Sequence, residues 1–280
     1  MGIIERIPRG VLRAYGARSR RYRTSVGTMH AFVARGRGEL PPIVLVHGIG
    51  AAATAFTRVF PKLRAHTRRL AAVELPGHGA SEAPKRGMSA DEFLTGLVEL
   101  MDAVIEEPSI VVGSSLGGFS AVRYTLRRPE KVRALLLSSP GGAYMDAEPL
   151  ARFLDVFRIE SEADAGKFLE RLCLELPWYS PLLRRYVAQQ FARPELKQAI
   201  SLARPEILLR PEELAGLRVP VRVVWGKSDK LLPRENLAFF KAHLPKHAEV
   251  IEPEDFSHVP HIERPGKVAK LIVELARSTL

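Results

Sequence analysis

The chain has 280 residues, 46% apolar and 26% charged, a balance that excludes a wholly disordered, collagen-like or membrane-bundle protein. Forty-two basic against 31 acidic residues give a net charge of +11, and the single cysteine, Cys173, excludes an intrachain disulfide or a cysteine-rich metal site. No apolar run approaches the roughly 20 residues that span a bilayer.

The charge is concentrated at the start. Residues 1–24 hold Arg6, Arg9, Arg13, Arg18, Arg20, Arg21 and Arg23 against Glu5 alone, more than half of the net charge. Ile3, Ile4, Ile7, Val11, Leu12 and Tyr15 recur there at helical spacing, but Pro8, Gly10 and Gly16 are expected to break a long helix. This basic arm has two open readings. It is either a peripheral contact with an anionic membrane surface or a short element packing its apolar residues on the body. A nucleic-acid partner is not expected, because no recognition motif accompanies the arginines. The apolar stretch is too short and too interrupted by charge for a secretory leader. That predicts a cytoplasmic protein, membrane-peripheral if the arm binds lipid.

Strand and helix patterns then alternate. Strands are predicted at 28–35, 43–47, 70–75, 110–112 and 135–138, with helices at 54–64, 89–106 and 116–128. Ser89 followed by Glu92 is a capping-box start, and the short apolar run 43–47 suits a strand buried on both faces. Alternation with short links implies right-handed crossovers and a mostly parallel sheet. From 143 to 217 the pattern is helical, with helices predicted at 148–157, 163–176, 181–192 and 194–203 and Cys173 in a helical core position. Strands resume at 221–225 and 249–251, with helices at 234–244 and 266–278. The predicted organisation is an α/β core of residues 25–142 and 218–280 with a helical cap, 143–217, inserted after a strand.

Gly113-Ser114-Ser115-Leu116-Gly117 falls directly between a predicted strand and helix. Glycines there let the chain turn sharply and expose the Ser115 hydroxyl over the sheet's carboxyl edge, beside a helix N-terminus. A serine hydroxyl needs an oriented base. His258, in the loop after the last strand, is the candidate base, with His261 as its local rival. Asp229, after the strand 221–225, is the candidate orienting acid. Asp255 and Glu254 belong to the loop of His258 itself and are read as a solvated turn. Backbone N–H groups of Leu116 and Ile49 are candidate oxyanion donors, and His47 is read as structural. Phe119, Trp178, Leu231 and Val259 are candidate walls of an apolar acyl pocket. The set calls for no metal and no cofactor.

With these residues in place, the sequence resembles the α/β-hydrolase superfamily over residues 25–280. HGIG (47–50), LPGHG (75–79), GSSLGG (113–118), WGKSD (225–229) and SHVPHIERP (257–265) stand in the family's order. Within it, the chain is most similar to the monoacylglycerol lipase and carboxylesterase branch. The resemblance implies cofactor-free hydrolysis of an acyl ester through an acyl-enzyme, with Ser115 as nucleophile, Asp229 as orienting acid and His258 as base. Two alternatives stay open. A carbon–carbon hydrolase acting on a diketone usually carries Trp after the histidine, where this chain has Val259. The other is a non-enzymatic ligand receptor. Ser257 stands where glycine is more usual before the histidine, which bears on the tightness of that turn.

Overall fold

Apolar runs such as Ile43-Val44-Leu45-Val46 bury both faces of a strand, and the computed structural model lays them at the centre of one eight-stranded sheet. It describes residues 3–85 and 87–280, with side chains from Arg6 onward. Ile3, Ile4 and Glu5 of the arm therefore enter as backbone only, and Arg86 of the loop after LPGHG lies outside the described residues.

The strands are β1 (Arg18–Arg23), β2 (Thr28–Arg35), β3 (Ile43–Val46), β4 (Arg69–Glu74), β5 (Ser109–Ser114), β6 (Val132–Ser138), β7 (Val221–Val224) and β8 (Glu249–Ile251). Their spatial order is β1-β2-β4-β3-β5-β6-β7-β8. The pairs β1–β2 and β2–β4 are antiparallel and all others parallel. The register brings Val46 opposite Gly113, Ser114 opposite Ser138, Ser138 opposite Val224 and Val224 opposite Ile251. The carboxyl ends of five strands thus share one edge, where an open α/β sheet presents its ligand site.

The helices are α1 (Ile3–Ala14), α2 (Phe60–Arg64), α3 (Ala90–Val104), α4 (Leu116–Arg127), α5 (Ala147–Leu154), α6 (Glu162–Leu172), α7 (Ser180–Phe191), α8 (Pro194–Ser201), α9 (Pro211–Ala215), α10 (Arg234–His243), α11 (Pro260–Glu263) and α12 (Pro265–Arg277). One core holds Leu97 and Leu100 of α3, Val122 of α4 and Phe240 of α10 together with Val44 and Val46. The other holds Leu12 of α1, Phe60 and Leu63 of α2 and Ile272 of α12 together with Ile43 and Leu45. The alternation along β3 therefore feeds two cores. Ser89 caps α3, its hydroxyl accepting from the Glu92 N–H at 3.1 Å, as expected of the capping box.

Several expectations need correction. α1 runs through Pro8 and Gly10. One lost backbone hydrogen bond is tolerated because the helix is held by tertiary contacts, including fully buried Leu12. Residues 18–23, assigned by sequence to the arm, form the edge strand β1. Their charged side chains mask a strand signal while blunting an open sheet edge. The predicted helix 54–64 divides into a 3-10 turn, Ala53–Phe56, and α2, which restarts where Pro61 cannot donate a backbone hydrogen bond. Cys173 ends α6 in an extended conformation, half-buried rather than mid-helix, and burial pushes its thiol up to about 12.

Candidate active site

At the end of β5 the chain enters α4 without a loop, and Ser115 sits at the joint with φ 55° and ψ −119°. This left-handed backbone is costly for a side chain carrying Cβ and survives only when its surroundings enforce it. Here they do. A Cβ at Gly117 would lie 2.1 Å from the Val46 carbonyl oxygen, and one at Gly113 would lie 2.3 Å from that of Gly117. The backbone of Ser115 is pinned on both sides, its N–H donating to Ser138 O at 3.1 Å and its carbonyl accepting from Gly141 N–H at 2.9 Å. The SSPGG segment thus braces the elbow from the neighbouring strand.

The His258 and Asp229 loops are stitched together by backbone. Ser228 N–H donates to Phe256 O at 3.1 Å and Lys227 N–H to Pro253 O at 3.0 Å. A Cβ at Gly226 would lie 2.1 Å from Phe256 O, so only glycine permits the approach. The outcome is a buried contact of 2.8 Å between His258 Nδ1 and Asp229 Oδ2. The other carboxylate oxygen, Oδ1, accepts from the N–H groups of Leu231 at 2.9 Å and Leu232 at 3.2 Å. Burial pushes the Asp229 carboxyl up, but the adjacent His258 and the Leu231 N–H more than offset this, leaving it below its ordinary value. Asp229 is thus ionised at neutral pH, accepts from Nδ1–H and leaves Nε2 as the basic nitrogen.

Ser257 replaces the expected glycine without loosening the turn. Its hydroxyl accepts from Val259 N–H at 3.1 Å and donates to Glu263 Oε2. Glu263 Oε1 in turn accepts from Leu174 N–H at 2.8 Å, tying the histidine turn to the cap. This residue went unnoticed in the sequence, where a glutamate near a helix end reads as solvated.

His47 is fully buried and structural, as expected. Its Nδ1–H donates to Gly48 O at 2.8 Å, and its Nε2 accepts from Leu75 N–H at 3.1 Å. That fixes the HGIG loop against the elbow, where a Cβ at Gly48 would come within 3.1 Å of Ser115 Cβ. Ile49 follows in this loop. Leu116 is the first residue of α4, so its N–H has no acceptor within the helix. His261 packs on the Phe56 ring, centroids 5.1 Å apart, and burial, with nearby His258 and His47, pushes its imidazole down to about 3. It is therefore neutral at physiological pH and, among the described residues, its Nδ1 has no hydrogen-bond partner to orient it.

Ser115, His258 and Ile49 all open onto one cleft of about 660 Å³ between sheet edge and cap. Its walls are mostly apolar, with Phe168, Leu172, Val187, Phe191, Leu231 and Val259 among them. Leu231 and Val259 lie where they were expected. Phe119 does not. One turn into α4, it is buried under Arg123, whose guanidinium carbon is 5.3 Å from the ring, and faces a separate cleft with Phe93. Trp178 is 91% exposed and outside the cleft lining, although its neighbour Tyr179 lines it. Among the described residues, no group of three His, Cys, Asp or Glu side chains is placed to hold a metal ion.

The motif-bearing residues match the family model of the alpha/beta hydrolase family over residues 43–271. The chain is 30% identical over 242 residues to Lipase 1 of Psychrobacter immobilis, covering 79% of this chain and 72% of that one. It is also 30% identical over 251 residues to a pimeloyl-[acyl-carrier protein] methyl ester esterase of Yersinia enterocolitica, covering 85% and 93% respectively. Naproxen esterase from Bacillus subtilis has the same fold, with a TM-score of 0.77 at 21% identity and coverage of 98% and 97%. By fold, motif order and these likenesses, the chain belongs to the alpha/beta hydrolase family.

Proposed function

We propose that this carboxylic ester hydrolase works through an acyl-enzyme formed on Ser115. The observation that carries the reading is a strained serine at the sheet's carboxyl edge, itself largely buried, opening onto the same cleft as a histidine held 2.8 Å from a buried carboxylate. Ser115 Oγ attacks the ester carbonyl as its proton passes to His258 Nε2. The carbonyl oxygen takes the charge, and the N–H groups of Ile49 and Leu116 stabilise it. Collapse breaks the bond to the alcohol, which leaves with the proton from His258. Water then repeats the sequence on the acyl-enzyme, giving the carboxylic acid and free Ser115. Asp229 holds the imidazole tautomer and stabilises its charged form.

An apolar acyl ester such as a monoacylglycerol suits the cleft, since hydrocarbon walls gain by burying an acyl chain and discriminate against charge. The relatives, one a lipase and one a methyl ester esterase, support an ester. A fluorophosphonate tests the nucleophile: it labels the wild type and leaves Ser115→Ala unlabelled. In an ester panel varying acyl length and alcohol, that variant loses about 10⁴-fold or more in kcat. A folded wild-type chain that resists labelling overturns the proposal. Faster cleavage of a vinylogous diketone than of any ester would replace it with carbon–carbon hydrolysis, and tight ligand binding without turnover would replace it with a receptor.

A further inference from the structure

Of the eight large apolar side chains exposed among the described residues, five either line the cleft or stand next in sequence to a residue that does. Ile262 and Tyr179 line it, exposed by 37% and 41%. Trp178, at 91%, stacks edge-on against Tyr179, with Leu182 at 58% on the next helical turn. Pro8 of α1 also lines the cleft, and Ile7 beside it is 60% exposed. A tryptophan this exposed, packed on an exposed tyrosine at the cleft lining, is a docking feature rather than ordinary surface.

The same helix turns a basic cleft outward. Arg6, Arg9 and Arg13 of α1 line it with Arg21 of β1, and among the described residues no acidic side chain does. Arg9 is tied down, donating to Glu74 at 2.8 and 3.1 Å, which fixes α1 to the body rather than leaving a loose arm.

We infer that this face docks on an anionic lipid surface with the cleft mouth turned toward the bilayer, Trp178, Leu182, Ile7 and Ile262 entering the headgroup region while Arg6, Arg13 and Arg21 meet its charge. Tryptophan favours such an interface because one end of the ring is apolar and the other polar. Basic residues beside an apolar stripe add attraction to anionic headgroups. A second copy of the chain suits the face less well, because pairing it with itself brings arginines against arginines. No described helix is long and apolar enough to cross a membrane, so the contact is peripheral. That the contact delivers substrate rests on the acyl-enzyme reading. The contact itself does not.

The chain has two tryptophans, and Trp225 is fully buried, so a change in emission on docking reports Trp178. The test uses full-length Ser115→Ala with vesicles of phosphatidylcholine alone or mixed with phosphatidylglycerol. The expected result is co-sedimentation about fivefold or more stronger on the anionic vesicles, reversed by salt, with a blue shift that Trp178→Phe removes. On the otherwise wild-type background, Arg6→Glu with Arg13→Glu weakens vesicle binding about tenfold and leaves hydrolysis of a short water-soluble ester unchanged. Equal binding to both vesicles overturns the inference, as does binding with unchanged Trp178 emission. A blue shift that grows with protein concentration in the absence of vesicles overturns it in favour of self-association. The binding assay uses an inactive chain, so its failure leaves the acyl-enzyme reading standing, and the converse holds.

Discussion

The carboxyl edge of the sheet and the cap above it are built from different materials. At the edge, backbone touches backbone: Gly117 against Val46, Gly226 against Phe256, Ser115 bonded to Ser138 and Gly141. In the cap, side chains touch side chains. Phe157, Phe168 and Phe191 form an aromatic cluster with centroids 5.2 to 6.4 Å apart, joined by Leu196 and, from the body, Leu231. Backbone contacts tolerate no added atom, so geometry at the edge is set to a few tenths of an ångström. Aromatic contacts can slide and refill, so the cap can change shape without unfolding the body. On the proposed acyl-enzyme reading, the first region would fix the reaction and the second would select what reaches it.

The sharpest test of that division changes charge but not shape at the edge. Asp229→Asn keeps the side-chain volume and both loop hydrogen bonds to Leu231 and Leu232, yet an amide NH₂ can face His258 Nδ1 and reverse the tautomer. A fall of about 10⁴-fold in kcat is expected, with little change in melting temperature. Steady-state kinetics beside a thermal melt decide it. A loss of activity that merely tracks lost stability would mean Asp229 is a packing residue.

Next in size is the anchor of α1, which neither edge nor cap explains. Glu74, fully buried at the end of β4, faces Arg9, lies 3.0 Å from His30 Nδ1 and accepts from Ala80 N–H at 2.6 Å. Burial pushes its carboxyl up, but His30, Arg9 and the Ala80 N–H overcome this and hold it at about 2. Arg9→Ala strands that carboxylate and is expected to cost about 3–5 kcal/mol in denaturant unfolding. The pH dependence has a definite sign. A depressed carboxyl pKa contributes stability that is fully present above about 4.5 and is lost as pH falls toward about 2. Depression by that interval corresponds to about 3 kcal/mol. The stability gap between wild type and Glu74→Gln should therefore narrow across that window and stay flat above it. A gap independent of pH would remove the ion pair from the account.

These two cases explain what could be read from the chain. The elbow, the strand–helix alternation from residue 28 onward, and the candidates Ser115, Asp229 and His258 were legible because each depends on neighbours in sequence: a glycine two residues away, an apolar run just before, a loop just after. Arg9 and Glu74 are 65 residues apart, and an arginine among seven in the arm gives no local sign that it is the one buried. The one available signal was Glu74 itself, an acid closing an apolar strand, which must find a partner inside. Phe119 and Trp178 were misplaced for a related reason. Aromatic identity says that a residue will pack or dock, but the side on which it does so is decided by helices that meet only in the fold.

The smallest expected effect lies in the cap and is the most diagnostic of its role. Phe191 is buried, lines the cleft, and packs within the aromatic cluster. Phe191→Leu keeps an apolar filler but removes part of the ring, so the cluster can close around it at a cost of about 1 kcal/mol. In a chain of this length that is a shift of roughly 2–4 °C in melting temperature. If the cap selects and the edge reacts, the variant should change the acyl-length optimum in kcat/KM while the rate of Ser115 labelling by a small fluorophosphonate stays at the wild-type value. Slower labelling would mean that the cap reaches the reacting atoms through the HGIG loop, where a Cβ at Gly50 would lie 2.9 Å from the Phe191 ring. The two regions would then be one catalytic unit rather than a fixed edge beneath an adjustable roof.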